Sequence, residues 1–383
     1  MNFEALKKFQ DGLTEWRIPG CDCEVRVNHE TVYRHHAGYA NLETRRPMKG
    51  NEFYYLWSAS KVMTVTLALR LYEEGRFLLT DPLSEYVPEF AEMTVAERQA
   101  DGTVVRRKAE NPIRILDLFR MTAGFGYNMN TPEILALIEK REGHATAKDM
   151  LSAFACQELN FEPGDRWGYS LGHDVLGGFV ELLAGETLGE YARKNVFLPL
   201  GMEETSYGLP NRPDFEERRI TQYRYNAETD SHSLDDGVPS HFLTPDYHSG
   251  GAGIVSTVDD YIKFVDALAC GGVGKTGERI IGSRTIDVMR RNFLNEHQMR
   301  TTKSWSQLAG YGYGLGVRTY VDHTVSGSLG PVGEFGWQGA AGALVIADPE
   351  NKVAIFYAQA MRNNQEPYIL PRLRNLVYTC LER

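Results

Sequence analysis

A serine and a lysine three residues apart open a helix-like run in this chain: SASK, Ser58 to Lys61, followed by VMTVTLALRLYEEGRF. Residues i and i+3 of a helix share a face, so the lysine amine can reach the serine hydroxyl. That pairing suits acyl transfer. A hydroxyl is a weak nucleophile until a base takes its proton, and a helix start offers free N–H groups and partial positive charge to a forming oxyanion. The pattern S-x-x-K is short, and an N-capping serine beside a surface lysine is the plain alternative. The run after Ser58 is apolar nearly all round, as in a buried helix. A lysine buried there without a partner is costly, so Lys61 is expected to have one.

Two other stretches imitate better-known chemistry. GYSLG, Gly168 to Gly172, fits the G-x-S-x-G of a nucleophile elbow, which needs a buried strand running into Ser170. The residues before it, ELNFEPGDRW, carry a Pro-Gly turn and several charges and make a poor buried strand. ACGGVGKTGE, Ala269 to Glu278, looks like a phosphate-cradling loop, which must follow a strand and open a helix. The segment before it, VDDYIKFVDALA, instead has helical spacing at Tyr261, Phe264, Val265 and Leu268. A Gly-rich loop closing a helix is the expectation there, with no nucleotide bound at Lys275.

The wider context of Ser58 is more specific. WSASKVMTVTLALRLYEEGRFLLTDPLSEYVPEF resembles the serine-helix region of the β-lactamase/penicillin-binding-protein-like serine hydrolases. It is closest to the class C β-lactamases and the carboxylesterases related to them. ILDLFRMTAGF, NVFLPLGMEETSYG and SGGAGIVSTVDDYIKFVDALACGG resemble further segments of that family, in the same order. The resemblance spans about residues 5 to 380. It implies an acyl-enzyme mechanism without metal or cofactor. Ser58 would be the nucleophile, with Lys61 and Tyr169 sharing proton transfer. Tyr169 stands where the family has the tyrosine of Tyr-x-Asn. The backbone N–H groups of Ser58 and Ala340 would hold the oxyanion. The third family motif falls at Trp337, Gln338 and Gly339, which are expected at the substrate together with Tyr127 and Leu171; Tyr313 is a further candidate for the pocket wall.

Two departures narrow the substrate. The family's Asn is Leu171 here, and the family's Lys is Trp337, as in the W-x-G of the esterase branch. Apolar surface replaces groups that orient a β-lactam's amide and carboxylate. The expected substrate is therefore a small, neutral ester or amide, turned over by a carboxylesterase or acyltransferase. A β-lactamase or D-amino-acid peptidase of the same fold is the alternative, and a catalytically silent binding protein a third.

The elements that must position these residues can be read in outline. An amphipathic helix over residues 1–16 leads into a strand pair, CDCEVRVNHETVYRHHAGYA, and a strand-like EFYYLW. Helices broken by turns follow from about residue 81 to 239, interrupted by a hairpin in MTVAERQADGTVVRRKA with Asp101-Gly102 at its turn. GYGLGVRTYV, GALVIA and KVAIFYAQ read as strands, and LPRLRNLVYTCLE as a last helix. The expected fold is α/β (α+β): an antiparallel sheet flanked by helices, built from both chain ends, with an inserted helical lobe. Residues 1–80 and 240–383 would form the sheet lobe and 81–239 the mainly helical one, with the active site between them.

Bulk properties exclude other classes. The 383 residues carry a net charge of −10, which argues against nucleic acid or an anionic membrane as partner. No apolar run is long enough to span a bilayer. The five scattered cysteines suit a reducing compartment, and a cytoplasmic enzyme is the expectation. Cys21 and Cys23 could share a strand face, but neither they nor the adjacent His35 and His36 have metal-ligand spacing, so no metal is expected. The residues carry no signature of an oligomeric state.

Overall fold

The computed structural model describes residues 1–15, 18–235, 237–363 and 366–382. Its centre is an eight-stranded sheet. In chain order the strands are β1 (Gly20–Val27), β2 (Glu30–Asn41), β3 (Arg46–Pro47), β4 (Tyr311–Tyr313), β5 (Arg318–Tyr320), β6 (Phe335–Gly336), β7 (Leu344–Asp348) and β8 (Val353–Gln359). They lie in the order β4-β5-β6-β7-β8-β1-β2-β3, and every neighbouring pair is antiparallel. The two ends of the chain meet in the middle, where β1 pairs with β8 from Cys21↔Gln359 to Val27↔Val353. The sheet is thus the α/β fold expected, antiparallel and flanked by helices.

Alternation along β1 explains its two covered faces. Cys21, Cys23 and Val25 point to a layer made by α1 (Glu4–Leu13) and α5 (Glu366–Glu382), against Leu6, Leu13, Leu373 and Val377. Asp22 and Glu24 point the other way and are neutralised by Arg34 and Arg26. Burial pushes the Cys21 thiol up to about 12, so this cysteine pair is structural packing. On the opposite face lie α2 (Ser60–Glu73), α3 (Gly172–Ala184) and α4 (Val258–Ala269), inside the main apolar cluster. Helix α2 is buried almost throughout, as its all-round apolar pattern requires. The middle of the chain supplies the helices Pro132–Lys140, Ala147–Ala155 and α3.

Several local expectations changed. The amphipathic first helix ends at Leu13, and Trp16 lies outside the described residues. EFYYLW yields only the short strand Tyr54–Tyr55, paired with Ile254–Ser256. GYGLGVRTYV is two strands, β4 and β5, because Gly316 takes a left-handed φ of 77° in the turn between them. The hairpin over 94–108 forms as read, with Gly102 at φ 87° in its turn. No helix among the described residues is long and apolar enough to cross a membrane.

Candidate active site

Ser58 lies in a single 3-10 turn, Trp57–Ala59, that feeds directly into α2. The turn is strained: Trp57 has φ 49°, a conformation costly for a bulky residue. The surroundings hold it there. The Trp57 indole N–H donates to Gln222 at 2.8 Å, and the Arg362 guanidinium sits 4.8 Å from its ring. Around the turn, Leu56 N–H donates to the Ile254 carbonyl at 2.9 Å, and the Tyr261 hydroxyl of α4 donates to the Ala59 carbonyl at 3.0 Å.

One helical turn on, Lys61 is fully buried. Its ammonium donates to the Gly251 carbonyl at 2.8 Å, the Tyr127 oxygen at 3.1 Å and the Ser58 oxygen at 3.4 Å. Burial works against this charge, but the oxygens of Tyr127 and Tyr169 and the Asp174 carboxylate outweigh it. The net effect raises the lysine above its ordinary value. Lys61 is therefore a stable ammonium at neutral pH, not a ready-made free amine. Tyr127 is raised as well, by burial first, with Lys61 opposing.

Gly251 is placed by a carboxylate that sequence reasoning missed. Asp174, in the first turn of α3, accepts from the Tyr247 hydroxyl at 2.9 Å, the Ser249 hydroxyl at 2.6 Å and the Gly251 N–H at 3.2 Å. Those bonds shape the loop that turns the Gly251 carbonyl toward Lys61. A Cβ at Gly251 would come within 2.3 Å of an Asp174 oxygen, so only glycine fits. The available signal was a lone Asp at the start of an apolar helix, HDVLGGFVELL, where a buried carboxylate needs several donors.

Two tyrosines stand beside Lys61. Tyr127 and Tyr169 stack at 5.4 Å and 9°, and the ammonium lies 4.8 Å from the Tyr169 ring centre. The Tyr169 hydroxyl is buried and has no hydrogen-bond partner of good geometry, whereas the Tyr127 hydroxyl is bonded to Lys61. Tyr127, read from sequence as pocket wall, thus lies deeper in the cluster than expected. Beyond Tyr169 the wall is aromatic. Trp337 stacks on it at 5.7 Å, Trp305 lies at 4.8 Å, and Tyr313 meets Trp337 edge-on at 5.3 Å. Trp305 was not singled out in the sequence; His241, edge-on to Tyr127 at 5.7 Å, was also missed.

The remaining candidates divide. Gly339 presses on the Ser58 segment: a Cβ there would lie 2.2 Å from the Leu56 carbonyl oxygen. Its N–H donates to Ala343 at 2.8 Å, and its carbonyl accepts from Gly342 at 2.9 Å, which leaves Ala340 exposed at the tip of a turn. Leu171 is buried in the main apolar cluster. Gln338 points away from Trp337, as strand alternation demands. It accepts from the buried Arg318 and faces a cavity shared with Leu370 and Arg374 of α5. The structure thus brings Ser58, Lys61, Tyr127, Tyr169, Trp337 and Gly339 together and leaves the Gln338 side chain on the far face.

The decoys fall elsewhere. Ser170 is buried, accepts from the Gly172 N–H at 3.3 Å and faces the Met121 sulfur, with no strand before it. Ala269–Glu278 closes α4, and the exposed Lys275 pairs with Glu30 at 3.1 Å.

Comparison with known proteins places the fold in a known family. A family model described as Beta-lactamase matches residues 6–378. An uncharacterized protein of Mycobacterium tuberculosis is 30% identical over 325 residues, 84% of this chain and 80% of its own. The esterase EstB of Burkholderia gladioli is 26% identical over 358 residues, covering 87% of this chain and 84% of EstB. Among solved structures, EstCE1, described as a hydrolase with promiscuous acyltransferase activity, superimposes with a TM-score of 0.75. It is 26% identical, with 98% of this chain and 97% of EstCE1 covered.

Proposed function

The chain belongs to the β-lactamase family, and from that premise we propose that it is a serine hydrolase acting through an acyl-enzyme on a small neutral ester, as a carboxylesterase or acyltransferase. The observation that carries this reading is the company of Lys61: a serine hydroxyl at 3.4 Å, a tyrosine hydroxyl at 3.1 Å, and an aromatic wall where a β-lactamase would hold charge. Being esterase and hydrolase, EstB and EstCE1 point the same way.

In this reading Ser58 Oγ attacks the ester carbonyl. Tyr169, beside the Lys61 ammonium, relays the hydroxyl proton to the leaving alcohol. The N–H groups of Ser58 and Ala340 receive the oxyanion. Water, or a second alcohol or amine, then attacks the acyl-serine by the reverse path. Trp337 gives the acyl or alcohol group an apolar seat. An indole carries no charge to pair with a carboxylate, which disfavours β-lactams and D-amino-acid peptides. Residues 81–239 would act as a mainly helical lobe closing on a sheet lobe formed by 1–80 and 240–383. The five free thiols favour a reducing, cytoplasmic setting.

The test is labelling with a fluorophosphonate, followed by mass spectrometry of the adduct. An adduct on Ser58 that disappears in Lys61→Ala, with hydrolysis of a chromogenic ester exceeding that of a chromogenic cephalosporin, is the expected result. Label on Ser170, or a preference for the cephalosporin, would overturn the proposal.

A further inference from the structure

The loop that imitates a phosphate site has a different neighbour. Cys270, its second residue, caps the C-terminus of α4 and lies against the turn between β1 and β2. In that turn Asn28 and His29 both take left-handed φ values, 48° and 73°, as a two-residue hairpin requires. Asp266, on the last turn of α4, is 1% exposed and reaches into the turn. One of its oxygens accepts from the His29 backbone N–H at 3.2 Å, and the other meets His29 Nδ1 at 2.8 Å. The Cys270 sulfur stands 3.8 Å from the first oxygen. Nδ1, a carboxylate oxygen and Sγ lie within 4.8 Å of one another.

The electrostatics at this point are unbalanced. A helix C-terminus already presents partial negative charge, and cations are favoured there. Here a buried carboxylate has been added to it. Among the described residues its one ion-pair partner is His29, an imidazole that carries charge only when protonated. Lys352 is nearby, but its ammonium is held by the Asn28 side chain at 3.0 Å. A buried anion with so little cationic company is costly.

We propose that His29, Asp266 and Cys270 form a binding site for a thiophilic divalent cation of the zinc type, which staples the first hairpin to the end of α4. One nitrogen, one oxygen and one sulfur suit a borderline-soft ion better than magnesium or calcium. Bonds of about 2.0–2.3 Å in a tetrahedron put ligand atoms roughly 3.3–3.7 Å apart. Loading therefore widens the His29–Asp266 contact and draws the sulfur in, with water in the fourth place. The proton balance is definite. His29 offers Nδ1 with its proton on Nε2, Asp266 binds as the carboxylate, and the Cys270 thiol loses its proton to solvent. With neutral imidazole, each ion bound releases one proton, and a dication facing carboxylate and thiolate leaves no net charge. Burial and Asp266 hold the free thiol up at about 11. The sequence offered no warning, because the ligands come from positions 29, 266 and 270 and share no spacing motif.

The experiment is a cobalt(II) titration of the full chain, followed by absorption. A sulfur-to-cobalt charge-transfer band saturating at one equivalent is expected. The band should vanish in Cys270→Ser, persist in Cys156→Ser, where the thiol is exposed, and need at least about tenfold more cobalt in His29→Ala. X-ray absorption at the zinc edge of the zinc-loaded wild-type protein needs no variant and should show one sulfur with nitrogen and oxygen neighbours. No uptake, a zinc shell without sulfur, or an unchanged band in Cys270→Ser would overturn the proposal. None of these readouts depends on the reaction at Ser58.

Discussion

At the scale of single residues the open question is which tyrosine takes the serine proton. Tyr127 holds a well-formed hydrogen bond to Lys61 at 3.1 Å, and Tyr169 lies over the same ammonium without one of good geometry. A hydroxyl well engaged with an ammonium helps to place that ammonium; one held less firmly beside the same charge is available to a reacting proton. Tyr169→Phe is therefore expected to lower kcat by about 10²–10⁴-fold, the usual contribution of a positioned acid-base. Tyr127→Phe removes one of several lysine contacts and should cost about tenfold, the value of roughly one hydrogen bond. Steady-state kinetics on one chromogenic ester decides the matter, and a reversed ranking would move the acid-base role to Tyr127. Stacking survives in both variants, because phenylalanine keeps the ring against its partner at 5.4 Å.

At the scale of elements, the site depends on close backbone approach. The strand extension after β6 touches the segment before Ser58 at Gly339 and Leu56, and Asp174 of α3 shapes the loop that holds Lys61. Gly339→Ala must push these segments apart. It is expected to destabilise the fold by about 1–3 kcal/mol, as overpacking does, and to reduce fluorophosphonate labelling of Ser58 more than the stability loss explains. Asp174→Asn keeps the size but supplies an acceptor on one side only. It should slow labelling while leaving the circular dichroism spectrum unchanged; labelling at the wild-type rate would show that the loop holds its shape unaided. These dependencies mark the limit of what the sequence could show. Strand alternation in β1 and the apolar run of α2 are local signals, and both were legible. So was the S-x-x-K pair, because a helix fixes its geometry. Asp174 and His241 reach the site through contacts between segments far apart in the chain, and no local period announces such contacts. Gln338 was placed at the substrate by its neighbours in a motif, when its own strand position turns it to the other face. The division of GYGLGVRTYV into β4 and β5 was written in its glycines, and turn chemistry outweighs the alternation around it.

At the scale of the whole molecule, the charge of Lys61 reaches beyond catalysis into stability. His173 sits beside Asp174 in α3, fully buried, with its Nε2–H directed at the Phe119 carbonyl at 3.1 Å and Nδ1 without a partner. Burial first, and the Lys61 ammonium second, push its pKa down to about 3, while the Phe119 carbonyl opposes them. An unfolded histidine titrates near 6.5. Between about pH 6.5 and 3 the unfolded chain therefore binds a proton that the folded chain refuses. The stability contribution is whole above pH 6.5 and is lost as pH falls, by at most about 1.4 kcal/mol per pH unit. His241 and His248, also held down by burial, act in the same sense. Glu24 and Glu181 act in the opposite one, since burial pushes their carboxyls up and acid favours their folded form. The total acid slope mixes these groups, but the difference between wild type and His173→Gln isolates one of them. Urea unfolding at pH 7, 5.5 and 4.5 should show the wild type losing more stability than the variant on acidification, approaching one proton's worth of slope. Parallel profiles would mean that His173 takes up its proton in the folded state and that the helices around α3 open to admit it.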